Sequence, residues 1–149
     1  MLAGTKIWNS CVWESRHTHE EEGRWPSEGE LKAKLKENAS WKQLHSQSTQ
    51  AVVEEYFEAV KAYIKHKENG HTEQRPPGFK PKTTLRTITW KSQAFELNGN
   101  QLILKLSRGN NLIMVPVPAH HAIIALPGNT TLSGTPIEVK VKAVFRRKK

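Results

Sequence analysis

The sequence predicts an α+β fold, with about three helices in an N-terminal segment, residues 1–73, and a small antiparallel β-barrel or barrel-like sheet in residues 74–149. Two observations lead there. Hydrophobic residues recur at helical spacing up to the start of the eighth decade and alternate with polar ones from Arg75 onwards. Charge divides at the same place: residues 1–73 hold 10 Lys and Arg against 12 Glu, a net −2, and residues 74–149 hold 13 against 2, a net +11, giving +9 overall. A chain of 149 residues has room for one domain or two small ones around a modest core.

The first helix is expected over residues 4–19, where Ile7 and Cys11, and Trp8 and Val12, fall one turn apart, and the run Glu20–Gly23 ends it. Ser27 with Glu30 three places on has the form of a capping box, and Leu31 and Leu35 then mark a short helix that Asn38 stops. The third and strongest helix is expected from Gln47 to Lys67 with Ser46 as its N-cap. Its apolar residues come in pairs, Val52/Val53, Tyr56/Phe57, Ala59/Val60 and Tyr63/Ile64, a stripe wide enough for two neighbours. Glu54, Glu55 and Glu58 lie early and Lys61, Lys65 and Lys67 late, as the helix dipole favours, and Gly70 is the expected left-handed stop.

Strands are predicted at Leu85–Trp90, at Ala94–Leu97 and Leu102–Leu106 around the turn Asn98–Asn100, at Leu112–Val117 and at Ala122–Leu126. In the last strand Ile137, Val139, Val141, Ala143 and Phe145 alternate with Glu138, Lys140, Lys142, Val144 and Arg146, so one face is apolar and the other cationic. Small barrels of this strand count include the oligonucleotide-binding type.

Composition excludes several classes. The chain has no aspartate and one cysteine, Cys11, so it has neither the converging carboxylates of a Mg²⁺-dependent nuclease nor an internal disulfide or paired-cysteine zinc site. His17, His19, His120 and His121 lack metal-ligand spacing, Gly109 sits in a lone turn rather than a phosphate loop, and no Ser, His and Glu set reads as a triad. Neither metal nor cofactor is expected. No stretch approaches the roughly 18 apolar residues of a membrane span, and a cytoplasmic protein with no membrane partner is expected.

A basic half points instead to nucleic acid, whose phosphates release condensed counterions when neutralised. The stretch Arg75–Lys91, RPPGFKPKTTLRTITWK, combines Arg75, Lys80, Lys82, Arg86 and Lys91 with three prolines and no acid. Pro76, Pro77 and Pro81 hold the backbone extended, so the strip is both a linker and a candidate phosphate path. Lys105 and the strand face of Lys140, Lys142 and Arg146 form a second candidate track, and Arg108 and Arg147 complete the nucleic-acid-binding set. Trp90 shares a strand face with Ile88, and it and Phe79 are expected in the core rather than on a base.

The order of these parts resembles the N-terminal, non-catalytic portion of the OrfB/TnpB transposon-associated proteins, RNA-guided nucleases related to type V CRISPR effectors. The resemblance rests on Trp8-Asn9, on Trp41 and Leu44, on SQSTQ at Ser46–Gln50 followed by Tyr56, Phe57 and Tyr63, on PPGFKPK at Pro76–Lys82, and on LRTITW at Leu85–Trp90. It covers roughly residues 1 to 118, and the segment to Lys149 agrees by pattern alone.

The resemblance implies a recognition segment and a wedge of oligonucleotide-binding type that grip guide RNA and target DNA during transposition, ahead of a RuvC-like nuclease domain. It further implies that the chain stops before that domain, is not itself an enzyme, and leaves a wedge strand edge exposed. Two alternatives stand beside this: a subunit of a split nuclease completed in trans by a separately encoded catalytic chain, and a remnant that only folds or pairs with a full-length relative. Changing Lys80, Lys82 and Arg86 together to Glu is expected to abolish binding.

Overall fold

The computed structural model describes residues 1–98, 100–106, 112–116 and 138–141. Helix α1 spans Leu2–Glu22, α2 Glu28–Leu35 and α3 Ser46–Glu68, with a 3-10 turn at Ala39–Gln43. Strands β1 (Ile88–Lys91), β2 (Phe95–Asn98), β3 (Gln101–Lys105), β4 (Leu112–Pro116) and β5 (Glu138–Val141) follow. The chain is therefore α+β, three helices followed by small antiparallel sheets.

α1 runs past its predicted end because glutamate is a good helix former, and it stops only where Gly23 takes a left-handed φ of 67° and its N–H donates to His19 O. Both halves of the capping box form at α2: Ser27 Oγ accepts from Glu30 N–H, and the Glu30 carboxylate accepts from Ser27 N–H. Arg24 donates to both Glu30 oxygens and holds that carboxyl down at about 2. Asn38 plays another part than the predicted one, as α2 is already over at Leu35 and Asn38 Oδ1 caps the 3-10 turn through Ser40 N–H.

The N-cap of α3 is His45, not Ser46: the imidazole Nδ1 accepts from Gln47 N–H at 3.3 Å, which makes Ser46 the first helical residue. Burial and the charge of Lys105 push the His45 pKa down, and so preserve the neutral ring that can accept. α3 packs against α1, α2 and β1, one neighbour more than the two expected from its stripe, with Val52, Val53, Tyr56 and Val60 buried. Tyr56 meets the Trp8 ring edge-on, 5.2 Å between centroids.

The first strand is shorter than predicted. Leu85 stays exposed and Arg86 turns to α3, so ladder pairing begins only at Ile88, opposite Val141, and ends at Lys91 opposite Glu138. β2 and β3 form the predicted hairpin, Asn98 opposite Gln101, and β4 extends it. Among the described residues the strands make two sheets, β1-β5 and β2-β3-β4, and no closed barrel. The predicted strand Ala122–Leu126, and Ile137 and residues 142–146 of the last one, lie outside the described residues.

One buried cluster runs through both parts of the chain, from Ile7, Trp8 and Val12 through Leu31, Trp41 and Val53 to Ile88, Trp90, Leu104 and Val139. Gly4 lies close against this cluster. A Cβ there would lie 2.5 Å from Ile88 Cδ1, so any larger residue requires the buried Ile88 side chain or α1 to shift.

Candidate nucleic-acid interface

The prolines of the basic strip limit its backbone freedom, and α1 supplies the remaining constraints. Trp8 Nε1 donates to Gly78 O at 3.0 Å. Asn9 grips the next residue but one in both directions: its Nδ2 donates to Lys80 O at 2.9 Å and its Oδ1 accepts from Lys80 N–H at 2.8 Å. Thr5 Oγ1 donates to Thr84 O, and Thr84 N–H donates to Pro81 O at 2.9 Å, closing a turn. The strip thus runs antiparallel to α1, tied at three points along it.

This anchoring separates the predicted contact residues into two groups. Arg75, Lys80 and Lys82 are exposed, and none has a carboxylate partner among the described residues. Lys80 Nζ lies 5.7 Å from the centroid of the Trp8 ring, which fixes its direction without neutralising it.

Arg86 and Lys91 belong to the fold. Arg86 Nη2 donates to Glu55 Oε2 at 2.7 Å, its guanidinium lies 4.1 Å from the Trp8 centroid, and its side chain is 16% exposed. Its Nε is buried with no hydrogen-bond partner among the described residues. Lys91 Nζ donates to both oxygens of Glu54 at 3.0 and 2.7 Å, and Lys32 from α2 donates to the same carboxylate at 3.1 Å. Burial alone would raise the Glu54 carboxyl, but Lys91 and Lys32 outweigh it and hold the group below the usual carboxylate range. The helix–strand seam therefore absorbs two charges that were expected on the phosphate path.

The second track is divided between sheets. Lys105 is half-buried at the end of β3, where its carbonyl accepts from Trp90 Nε1 at 2.9 Å, and Lys140 is exposed on β5 opposite Thr89. Arg108, Lys142, Arg146 and Arg147 lie outside the described residues. Trp90 is 3% exposed and in the core, as expected; Phe79 is not, being 51% exposed with the Arg16 guanidinium 5.0 Å from its centroid. Phe79 falls in the tied strip, whose backbone covers α1 and so turns this ring outwards.

Three side chains of this surface escaped sequence reasoning. Trp13, Arg16 and His17 lie off the buried stripe of α1, which consists of Gly4, Thr5, Ile7, Trp8, Cys11, Val12, Ser15 and Thr18. Helical periodicity alone could have placed them on the wet face. Trp13 is 55% exposed and stacks on His17 with centroids 5.0 Å apart. A second feature is an open cavity of about 780 Å³ at the start of α3, lined by Lys36, Trp41, Lys42, His45, Ser46 and Gln50 among others.

Among the described residues no group of three or more His, Cys or Glu side chains could hold a metal ion, and no helix is long and apolar enough to cross a membrane. His120 and His121 lie outside the described residues. Cys11 is fully buried with its thiol pushed up to about 12, so it offers no nucleophile. No known protein family and no curated protein matches the chain.

Proposed function

We propose that this chain is a nucleic-acid-binding module on the OrfB/TnpB plan, in which α1–α3 form the recognition segment and the strands contribute to a wedge of oligonucleotide-binding type. It holds RNA or DNA through phosphate contacts and does not cut it, in keeping with a chain that has no aspartate to bind catalytic Mg²⁺. The observation that carries this reading is the basic strip itself: Lys80 and Lys82 are exposed on a backbone held by Trp8, Asn9 and Thr5, with exposed Arg75 just before the first tie, while the nearby Arg86 and Lys91 are paired internally. A fixed row of unpaired cations meets phosphates with little ordering cost. Two of the elements that carry the family resemblance, Trp8-Asn9 and PPGFKPK, also bind each other.

The test is a titration of labelled RNA and DNA oligonucleotides at several salt concentrations. Affinity is expected to fall as salt rises, and Lys80→Ala with Lys82→Ala is expected to flatten the log–log slope by roughly 0.7–0.9 per residue. Arg86 is excluded from this variant because its loss would leave Glu55 unpaired at the seam and uncover Trp8. Salt-independent binding, or a double variant with an unchanged slope, would refute the electrostatic reading.

A further inference from the structure

The seam between α1 and the strip carries more than charge. Trp13, Arg16 and His17 share one turn of α1, on the neighbouring i, i+3 and i, i+4 positions, and Arg16 reaches across to the Phe79 ring at 5.0 Å. Two large aromatic rings on one surface are thus about half exposed, 55% for Trp13 and 51% for Phe79. One face of each is covered by a cation or an imidazole, Arg16 on Phe79 and His17 on Trp13, which leaves the other to water. Neither ring contributes to the buried cluster, so the fold gains little from keeping them there.

The local charge favours an anion that also has π faces. Arg16 lies on the Phe79 ring, Lys80 and Lys82 follow Phe79 in the strip, and none of the three has a carboxylate partner among the described residues. Of the acids on α1, Glu14 pairs with Lys34, Glu21 with His17 and Glu22 with Arg24, and Glu20, one turn after Arg16, makes no ion pair among the described residues.

We propose that Trp13 and Phe79 form a stacking platform for unpaired nucleobases, so that this surface takes a single-stranded segment whose phosphates follow Lys80 and Lys82. The inference rests on the nucleic-acid reading above and adds to it the strandedness of the ligand. A base slides onto an exposed aromatic face whatever its identity, whereas the bases of a duplex are already stacked on each other.

The experiment compares the full chain with Trp13→Ala, Phe79→Ala and the double variant, using oligo-uridine, oligo-thymidine and a duplex of equal length. Circular dichroism melting checks that the exposed substitutions leave the fold intact. Each single variant is expected to weaken binding to the single strands by roughly tenfold or more and to leave the salt slope unchanged, because no charge is lost. Trp13→Phe and Phe79→Tyr are expected to restore affinity, and duplex binding to stay as it was. Comparing the uridine and thymidine strands separates RNA from DNA as the preferred source. Unchanged single-strand affinity in the double variant, while Lys80→Ala/Lys82→Ala loses binding, would overturn the platform and leave the nucleic-acid function standing. Equal losses on duplex and single strand would also overturn it. A wild-type chain that binds none of the three would overturn both readings.

Discussion

Gly4→Ala adds one methyl group near the start of α1 and sets two effects of opposite sign against each other. In an exposed helix the change would stabilise by about 1 kcal/mol, because alanine loses less backbone entropy than glycine. Here the new Cβ would lie 2.5 Å from Ile88 Cδ1, with Arg86 Cβ at 3.6 Å and Val52 Cγ2 at 3.8 Å. Ordinary carbon contacts begin at about 3.5 Å, so Ile88 or α1 must move by about 1 Å. Ile88 is fully buried and its backbone is paired with Val141, and overpacking of such a site costs about 1–3 kcal/mol. The clash therefore wins, with a net loss of about 1 kcal/mol, or about 2–4 °C in melting temperature for a chain of this size.

The decisive comparison is a double-mutant cycle with Ile88→Val, read by urea and thermal melts followed by circular dichroism. Removing Cδ1 leaves Arg86 Cβ at 3.6 Å as the nearest atom, an ordinary contact. In that background Gly4→Ala is expected to stabilise, so its effect changes sign between the two backgrounds and the coupling exceeds about 1 kcal/mol. A Gly4→Ala chain that melts higher than wild type, or effects that simply add, would refute the reasoning.

Three further outcomes are expected. Asn9→Ala removes both hydrogen bonds to Lys80 without altering charge; it should cost about 1 kcal/mol and speed limited proteolysis between residues 75 and 84, and unchanged cleavage there would show that the strip is held by other means. The folded state binds a proton at His45 less readily than the unfolded chain does, so this residue's contribution to stability is complete above a pH of about 6.5 and declines as the pH falls below it; His45→Asn, which keeps an N-cap acceptor, should flatten that decline in denaturant melts across the range. Cys11, fully buried with its thiol pushed up to about 12, should resist a disulfide reagent at pH 8 and react on unfolding; rapid reaction of the native chain would contradict its placement in the core.

The helices were legible in the sequence because their causes are local. The Ser27–Glu30 box, the stripe of Val52, Val53, Tyr56 and Val60, and the stop at Gly70 all lie within a few residues of what they control. The error at the start of α3 has the same local scale: serine is the commoner cap, but His45 has an acceptor nitrogen one position earlier. The β2-β3 hairpin was legible for the same reason, and the partner of β1 was not. β5 lies some fifty residues away along the chain, and strand alternation does not identify which strand is the partner.

For the interface, residue types alone determined that the second half of the chain is cationic and that a proline-stiffened strip begins it. Only the tertiary structure decided which of those charges remain available. Arg86 meets Glu55 and Lys91 meets Glu54 across 31 and 37 residues, while Asn9 reaches Lys80 across 71. A cation in the sequence is a solvated charge until a carboxylate comes within about 4 Å, and that proximity depends on how α3 packs against α1 and β1. The same packing buries Trp90 and turns Phe79 outwards, because the face of a residue in an irregular strip is set by what the strip lies against and not by any period of its own.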